Sequence, residues 1–191
     1  SGGHVLAVAA GDRRIAAVVL AAGIGEAVAR LGGWGGTRLS QDNLLWKPPG
    51  GLPLGFHQDS SYEQWADPSD WVSCWIALDD TTAAGGTVSY VRGSHRWAHA
   101  PMIEQFHAPD DPFHDLRQAA AAEGLTMSDL DIVPIEVPRG GGVFHQGWAW
   151  HGSGRNEAAV PRRSLVAHCM AADTRFHPDV TGAGGAVEVA R

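Results

Sequence analysis

From Gly36 onward the chain consists of short stretches of alternating side chains separated by turns rich in glycine and proline. Over residues 70–78 one face of the segment carries Val72, Cys74, Ile76 and Leu78. A period of two is typical of a β-strand, because successive side chains point to opposite faces. The 25 glycines among 191 residues suit many tight turns. This pattern predicts a fold made mainly of short strands.

The predicted strands cover residues 37–47, 54–60, 70–78, 87–92, 132–137, 143–151 and 162–170. One long helical segment precedes them, over residues 12–31, with Asp12 as its N-cap and a break expected near Gly23 and Gly25. Residues 95–131 are too many for a hairpin loop, so we expect them to form a lid or a substrate-binding segment, with a helix at 112–123. Strands in this number indicate an antiparallel double sheet, either a sandwich or a jelly roll.

Composition excludes several classes of protein. A formal net charge of -7 argues against binding to nucleic acid, which needs a cationic surface. The two cysteines, Cys74 and Cys169, can form neither a disulfide scaffold nor a four-cysteine zinc module. The longest apolar stretch, residues 15–24, is too short to span a bilayer, and it lacks the charged start and cleavage site of a signal peptide. We therefore expect one domain over residues 1–191, cytoplasmic, with no nucleic-acid or membrane partner.

His57, Gln58 and Asp59 form the first candidate metal motif. In a strand, residues 57 and 59 point the same way, so an imidazole and a carboxylate can face one ion. A third ligand must come from elsewhere in the chain. Two histidines and one carboxylate form a facial triad, which leaves three positions open on octahedral Fe(II).

The third ligand can be sought in the strand predicted at 143–151. His145 and His151 lie six residues apart and have the same parity, so strand geometry cannot choose between them. Position favours His151, because it lies at the end of the strand. Arg162 and Arg163 follow on the next strand, where one guanidinium can approach the metal and bind a carboxylate through two hydrogen bonds.

Five segments together resemble the phytanoyl-CoA dioxygenase family of Fe(II)- and 2-oxoglutarate-dependent oxygenases. They occur in that family's order and close to its spacing: QDNLLWKPP from Gln41, HQD from His57, WIALD from Trp75, GGTVSYVRGSH from Gly85 and HGSGRNEAAVPR from His151. The resemblance covers residues 17–173 and implies a mainly β fold with flanking helices, the cupin-like double-stranded β-helix or jelly roll.

The resemblance also implies a role for each matching position. His57, Asp59 and His151 correspond to the iron ligands, and Arg162 to the arginine that pairs with the distal carboxylate of 2-oxoglutarate. Further contacts to this cosubstrate are implied for Ser153, Trp75, Asn43 and Lys47. Gln41 lies where the ectoine hydroxylase branch has a substrate-contacting glutamine. On the substrate side we place residues that flank the metal motifs, namely Phe56, Ser60, Tyr62 and Trp148 with the 95–131 segment.

By this resemblance the protein would use Fe(II), 2-oxoglutarate and O2 to oxidise an aliphatic C–H bond of a small molecule. Hydroxylation or oxidative ring closure, such as orthoester formation, would release succinate and CO2, in the biosynthesis of an antibiotic or other secondary metabolite. Two alternatives stay open: a jelly-roll hydrolase or isomerase with the same two-His-one-Asp site, and a non-catalytic binding jelly roll. Family members begin with a strand and helix before the position of His4, so we expect that these elements are missing here.

Overall fold

Two antiparallel β-sheets packed face to face make up most of the structure. The computed structural model describes residues 3–63, 65–103 and 106–177. The strands are β1 (Gly3–Leu6), β2 (Thr37–Lys47), β3 (Leu54–His57), β4 (Ala66–Asp67), β5 (Trp71–Ala77), β6 (Val88–Val91), β7 (Ile132–Pro134), β8 (Gly142–Gln146), β9 (His151–Ser153), β10 (Arg162–Ala171) and β11 (Arg175–Phe176). The helices are α1 (Arg13–Val19), α2 (Ala22–Gly32) and α3 (His114–Ala122).

The large sheet has the strand order β1-β2-β10-β5-β8, and the small sheet has the order β3-β9-β6-β7. A separate two-stranded ribbon pairs β4 with β11. The sheets meet where Trp75 and Val166 of the large sheet pack with Val88 and Tyr90 of the small one. This architecture is a double-stranded β-helix with flanking helices, and it confirms the predicted fold.

Helices α1 and α2 cover the outer face of the large sheet. Val19 and Val28 are buried there against Cys74, Ala167 and Cys169. The predicted break in the helical segment is confirmed, although α1 ends ahead of Gly23, at Val19. Residues 13–32 together are long and apolar enough to cross a membrane by length and composition, which the shorter stretch at 15–24 is not. A single segment of this kind is weak evidence for a membrane span, because the core helix of a soluble protein can have the same length and composition.

Helix α3 lies in the 95–131 segment and packs on the small sheet. Leu116 of this helix is fully buried in a cluster with Phe56, Val91 and Trp150. Short 3-10 turns at Ser94–Arg96 and Met127–Asp129 add further structure to the segment. The prediction of a helix here is therefore confirmed, and the segment is a folded cover over that sheet.

Two differences from the predicted strands matter for the site. The strand predicted at 54–60 ends at His57, and Asp59–Tyr62 form a 3-10 turn. The strand predicted at 143–151 is two strands, β8 in the large sheet and β9 in the small one. The chain crosses between the sheets at Gly147, whose N–H donates to the carbonyl of Trp71.

Candidate metal centre and anion pocket

The inner face of the large sheet places polar side chains at its two ends and apolar ones between them. Strand pairing aligns a first row across four strands, composed of Gln41, His168, Ser73 and His145. The next row is Asn43, Val166, Trp75 and Val143. At the far end Lys47 pairs with Arg162. The register thus separates a histidine-rich end from a cationic end by an aromatic and aliphatic row.

His57, Asp59 and His151 converge opposite the histidine-rich end. Their ligand atoms all lie within 4.8 Å of one another, close enough for one metal ion to bind all three. His57 and His151 are paired across β3 and β9. The Nε2 atoms of these two histidines lie 3.5 and 3.4 Å from Asp59 Oδ1. The i, i+2 expectation for residues 57 and 59 therefore gives the right convergence, although Asp59 begins a turn.

Backbone carbonyls fix both histidines in the tautomer that a metal needs. The Nδ1–H of His57 donates to Gly55 O at 2.8 Å, and that of His151 donates to Ala149 O at 3.0 Å. The Nε2 lone pairs are then free and face Asp59 Oδ1. A ligand histidine held through its other nitrogen in this way is the usual support of a protein metal site.

The contacts of His145 decide between the two candidate third ligands. Its Nε2 lies 3.0 Å from Asp59 Oδ2, and its Nδ1 lies 2.9 Å from the hydroxyl of Tyr90. Both nitrogens of His145 are therefore engaged in hydrogen bonds, whereas His151 has a free one. His151 completes the facial triad, and His145 supports its carboxylate.

The ionisation of the three residues suits a divalent cation. Burial alone would raise the pKa of Asp59, but the surrounding histidines, His151 first among them, hold it well below its usual value. Burial and the nearby His151 lower the pKa of His57. For His151 burial is outweighed by Asp59, so its pKa is raised, and a metal must displace a proton there. An ionised carboxylate and two imidazoles are the donor set that Fe(II) accepts.

Two cations meet at the other end of the inner face. Arg162 is 6% exposed and donates from Nε and Nη2 to Gly86 O and from Nη1 to Ser164 Oγ. Lys47 is 7% exposed and donates to Ser153 Oγ and Gly154 O, each at 2.6 Å. Burial, and then Arg162, lower the pKa of Lys47 to about 7.

No carboxylate balances this pair among the ion pairs of the described residues. The neighbouring Arg163 does have one, since it binds Asp79 at 2.6 Å on the outside of the sheet. Buried cations without a counter-ion are costly, and an anion entering the pocket relieves that cost. The arrangement fits a dianionic ligand whose one end reaches the metal and whose other end reaches Arg162 and Lys47.

The remaining positions implied for the cosubstrate divide into two groups. Ser153 lies at the cationic end through its bond with Lys47, and Trp75 lies in the row between the two ends. Asn43 instead donates to His168 Nε2 at 3.0 Å and accepts from Gln41 at 2.9 Å. Gln41, at the histidine-rich end, and Asn43, in the next row, are therefore joined to each other.

Of the four residues placed on the substrate side, Tyr62 has a ring contact with a metal ligand. Its ring is 6.0 Å from that of His57, and its hydroxyl donates to Ile103 O. Phe56 stacks on Phe113 beneath α3, and Ser60 is buried, its Oγ accepting from Trp71 N. Trp148 stacks on His99 on the outer side and donates to Asp70. The 95–131 segment reaches the site through Phe106, whose ring lies 4.4 Å from His57.

Four contact residues have no signal in the sequence read alone. Ser73 and His168 hold Asp59 from the large sheet, at 3.2 and 3.5 Å from its Oδ2. Tyr90 stacks on His151, with ring centroids 5.4 Å apart, and Phe106 covers His57. Only the strand register, which aligns Ser73 with both His168 and His145, could have revealed the first two.

Fold and site together define a jelly-roll protein with a two-His-one-Asp centre and a buried pocket for an anion. Residues 3–164 match the phytanoyl-CoA dioxygenase (PhyH) family, and the chain belongs to it. Among curated relatives it is 27% identical over 137 residues to a probable alpha-ketoglutarate-dependent hypophosphite dioxygenase of Stutzerimonas stutzeri, covering 71% of this chain and 46% of that protein. It is 29% identical over 137 residues to phytanoyl-CoA dioxygenase 1 of Oryza sativa subsp. japonica, covering 68% and 43%. The matched region thus spans less than half of each relative.

Solved structures show the same fold at low sequence identity. The epimerase SnoN from nogalamycin biosynthesis superposes with a TM-score of 0.73 at 20% identity, over 96% of this chain and 69% of that one. The carbocyclase SnoK from the same biosynthesis gives 0.74 at 24% identity, over 95% and 68%. EctD from S. alaskensis gives 0.71 at 20% identity, over 91% and 59%.

Proposed function

We propose that this protein is an Fe(II)- and 2-oxoglutarate-dependent oxygenase that oxidises an aliphatic C–H bond of a small molecule. The observation that carries the proposal is a facial triad that lies opposite an inner sheet face on which two buried cations have no carboxylate partner among the described ion pairs. A 2-oxoglutarate dianion has the two ends that this arrangement needs. Membership of the phytanoyl-CoA dioxygenase family supports the same chemistry.

Iron and the cosubstrate, when bound, supply the oxidising chemistry: one atom of O2 enters succinate as CO2 is lost, and the other enters the substrate. The residues of this chain supply position. His57, Asp59 and His151 would hold the ion, with positions left for the cosubstrate and O2. Arg162 and Lys47 would hold the distal carboxylate, with Ser153 oriented by its bond from Lys47. Trp75, in the row between the two ends, would line the space for the cosubstrate.

Aromatic side chains that contact the ring of His57 form the substrate side of the site. Tyr62 and Phe106 lie 5.1 Å apart, and both rings contact the ring of His57. We propose that these two residues, with Phe106 as the contribution of the 95–131 segment, exclude water and position the reacting carbon. The substrate is then a small molecule with an apolar part. Natural-product tailoring is supported only by the fold shared with SnoN and SnoK.

Two further readings of the site are weaker. A hydrolase or isomerase needs the triad but has no use for two buried cations beyond it. A non-catalytic jelly roll leaves unexplained the tautomers that direct Nε2 of His57 and His151 at Asp59. One domain, a cytoplasmic location and the absence of nucleic-acid and membrane partners remain predictions from the sequence.

The experiment is a titration of the iron-loaded protein with 2-oxoglutarate under argon, followed by the visible charge-transfer absorption of the iron chelate. We expect this absorption with the wild type. Arg162→Met removes charge-assisted hydrogen bonds worth about 1.5–3 kcal/mol, so the Kd for 2-oxoglutarate should rise about 10- to 100-fold.

Arg163→Met is the matched control, because Arg163 binds Asp79 outside the pocket and its loss should leave that Kd unchanged. Iron binding without the absorption would favour the hydrolase or isomerase, and no metal binding at all would favour the non-catalytic reading. Either result would refute the oxygenase.

A further inference from the structure

The second oxygen of Asp59 is held by a hydrogen-bonded network on the large sheet. Asp59 Oδ2 lies 3.0 Å from His145 Nε2 and accepts from Ser73 Oγ at 3.2 Å. Ser73 Oγ lies 2.7 Å from His168 Nδ1. His168 Nε2 in turn lies 3.0 Å from Asn43 Nδ2. Gln41, on β2 with Asn43, extends the network by one more hydrogen bond.

Asp59, at one end of this network, determines which group is the donor and which the acceptor in every hydrogen bond of it. An ionised carboxylate only accepts, so the hydroxyl of Ser73 must donate to Asp59. The Ser73 oxygen can then only accept from His168, whose Nδ1 must carry the hydrogen. A neutral His168 therefore presents a bare Nε2, and Asn43 must offer its NH2 group to it.

The amide end leads independently to the same direction. Gln41 Nε2 donates to Asn43 Oδ1 at 2.9 Å, which leaves the NH2 group of Asn43 facing His168. Donors thus point from Gln41 through Asn43, His168 and Ser73 to Asp59 without a conflict. The second arm has the same direction, because Tyr90 donates to His145 Nδ1 and His145 Nε2–H donates to Asp59.

The members that contact Asp59 lie out of water. Ser73 is fully buried, and His145 and His168 are each 8% exposed. Hydrogen bonds of one direction in such an environment polarise one another and strengthen the last donor to the carboxylate. The two arms therefore fix Oδ2 firmly, whereas Oδ1 faces the Nε2 atoms of His57 and His151.

We propose that His168, Ser73 and Asn43 are positioning residues that make Asp59 a one-oxygen metal ligand. With Oδ2 committed to Ser73 and His145, only Oδ1 is available to the ion. A carboxylate that bound through both oxygens would occupy a position that the cosubstrate or O2 requires. This role rests on the metal site of the proposed function, and it gives Asn43 and Gln41 a structural task on the carboxylate.

The test measures metal affinity without cosubstrate, by titrating the full chain with Co(II) and following the visible bands of the bound ion. His168→Leu and Ser73→Ala each break the chain, and the Kd for Co(II) should rise about 10- to 100-fold. His168→Gln should recover most of the affinity, because one amide can accept from Asn43 and donate to Ser73. Where His168→Leu does not fold, Ser73→Ala, which removes one oxygen, carries the test.

The matched control is His114→Leu, the same substitution at an exposed histidine of α3 whose side chain hydrogen-bonds to Gln118 on the same helix. It should leave the Kd for Co(II) unchanged. The double variant of Asn43→Leu and His168→Leu should bind Co(II) no worse than His168→Leu, because both break the same chain. Additive losses, or a folded Ser73→Ala protein with wild-type affinity, would overturn the proposal.

Failure of this inference is distinguishable from failure of the oxygenase. If His168→Leu weakens Co(II) binding and the wild type gives no 2-oxoglutarate chelate, the positioning role stands and the oxygenase does not. If the chelate forms but His168→Gln binds Co(II) as weakly as His168→Leu, the oxygenase stands and the hydrogen-bonded chain does not act on the metal.

Discussion

At the scale of single residues, the site distinguishes histidines by the nitrogen that each has left over. In His57 and His151, Nδ1 donates to a backbone carbonyl and Nε2 can bind a metal. In His145 and His168, both ring nitrogens form hydrogen bonds with neighbouring side chains. All four surround one carboxylate, so proximity to Asp59 alone would not separate ligand from support.

The pKa of Lys47 predicts how cosubstrate binding depends on pH. Burial and Arg162 lower this pKa to about 7, so in the free protein Lys47 is charged below that value and neutral above it. A carboxylate prefers the charged form, and binding above neutral pH therefore requires proton uptake. Between about pH 6.5 and 8.5 we expect the Kd for 2-oxoglutarate to rise, by up to about 20-fold.

Isothermal titration with 2-oxoglutarate at saturating metal, in buffers of different ionisation enthalpy, measures both the Kd and the protons taken up. Lys47→Met should bind more weakly and lose most of this pH dependence. A wild-type Kd that stays constant over the range, or a dependence that survives in Lys47→Met, would assign the titration to another group.

The sequence was enough to predict some of the site residues but not others. His57, Asp59, His151 and Arg162 could be selected because they lie in local motifs of recognisable spacing. Ser73 and His168 could not, since they are 95 positions apart and meet only through the pairing of β5 with β10. A side chain whose partner is set by strand register leaves no local pattern.

At the scale of elements, the crossing from β8 to β9 determines how the site is assembled. The sequence predicts one strand over residues 143–151, because the alternation of side chains continues through the segment. In the structure Gly147 turns the chain into the other sheet, and a Cβ there would lie 2.2 Å from Ser60 Oγ. His145 and His151 thus approach Asp59 from opposite sheets, which a single strand could not achieve.

Gly152 is the position on β9 where this packing is tightest. A Cβ there would lie 2.9 Å from the carbonyl oxygen of Leu54 and 3.0 Å from Phe56 Cα, both backbone atoms of β3. We expect Gly152→Ala to push β9 from β3 and to lower the free energy of unfolding by about 1–3 kcal/mol. Because His151 adjoins it, metal affinity should fall as well.

Urea denaturation and Co(II) titration check the two effects of this substitution. Gly154→Ala is the control two residues further on, since a Cβ there meets nothing within 4 Å. It should change neither stability nor affinity by more than experimental error. If Gly152→Ala matched Gly154→Ala in both measurements, β3 and β9 would not be held as closely as described.

At the scale of the whole molecule, metal and cosubstrate connect the two sheets. His57 and His151 belong to the small sheet, whereas Arg162 and Lys47 belong to the large one. A ligand that binds the folded state but not the unfolded state stabilises the protein, by about 2.7 kcal/mol when its free concentration is 100 times its Kd. For a protein of this size we expect Mn(II) with 2-oxoglutarate to raise Tm by about 5–10 °C.

Differential scanning fluorimetry with each ligand alone and with both measures this shift. The pair should exceed the sum of the single shifts, because the cosubstrate binds partly through the metal. Asp59→Ala should abolish the metal-dependent part. An equal shift in Asp59→Ala would mean that Mn(II) binds elsewhere on the protein.

Strand β10 has a consequence for how the chain is made. It lies at the centre of the large sheet, between β2 and β5, yet it follows every other strand of that sheet in the sequence. During synthesis the edges of β2 and β5 that pair with β10 therefore remain unpaired until Ala171 has left the ribosome. Exposed edges of this kind invite association with other chains. Because β10 also brings Arg162 and His168, the complete site can protect the nascent protein only after that moment.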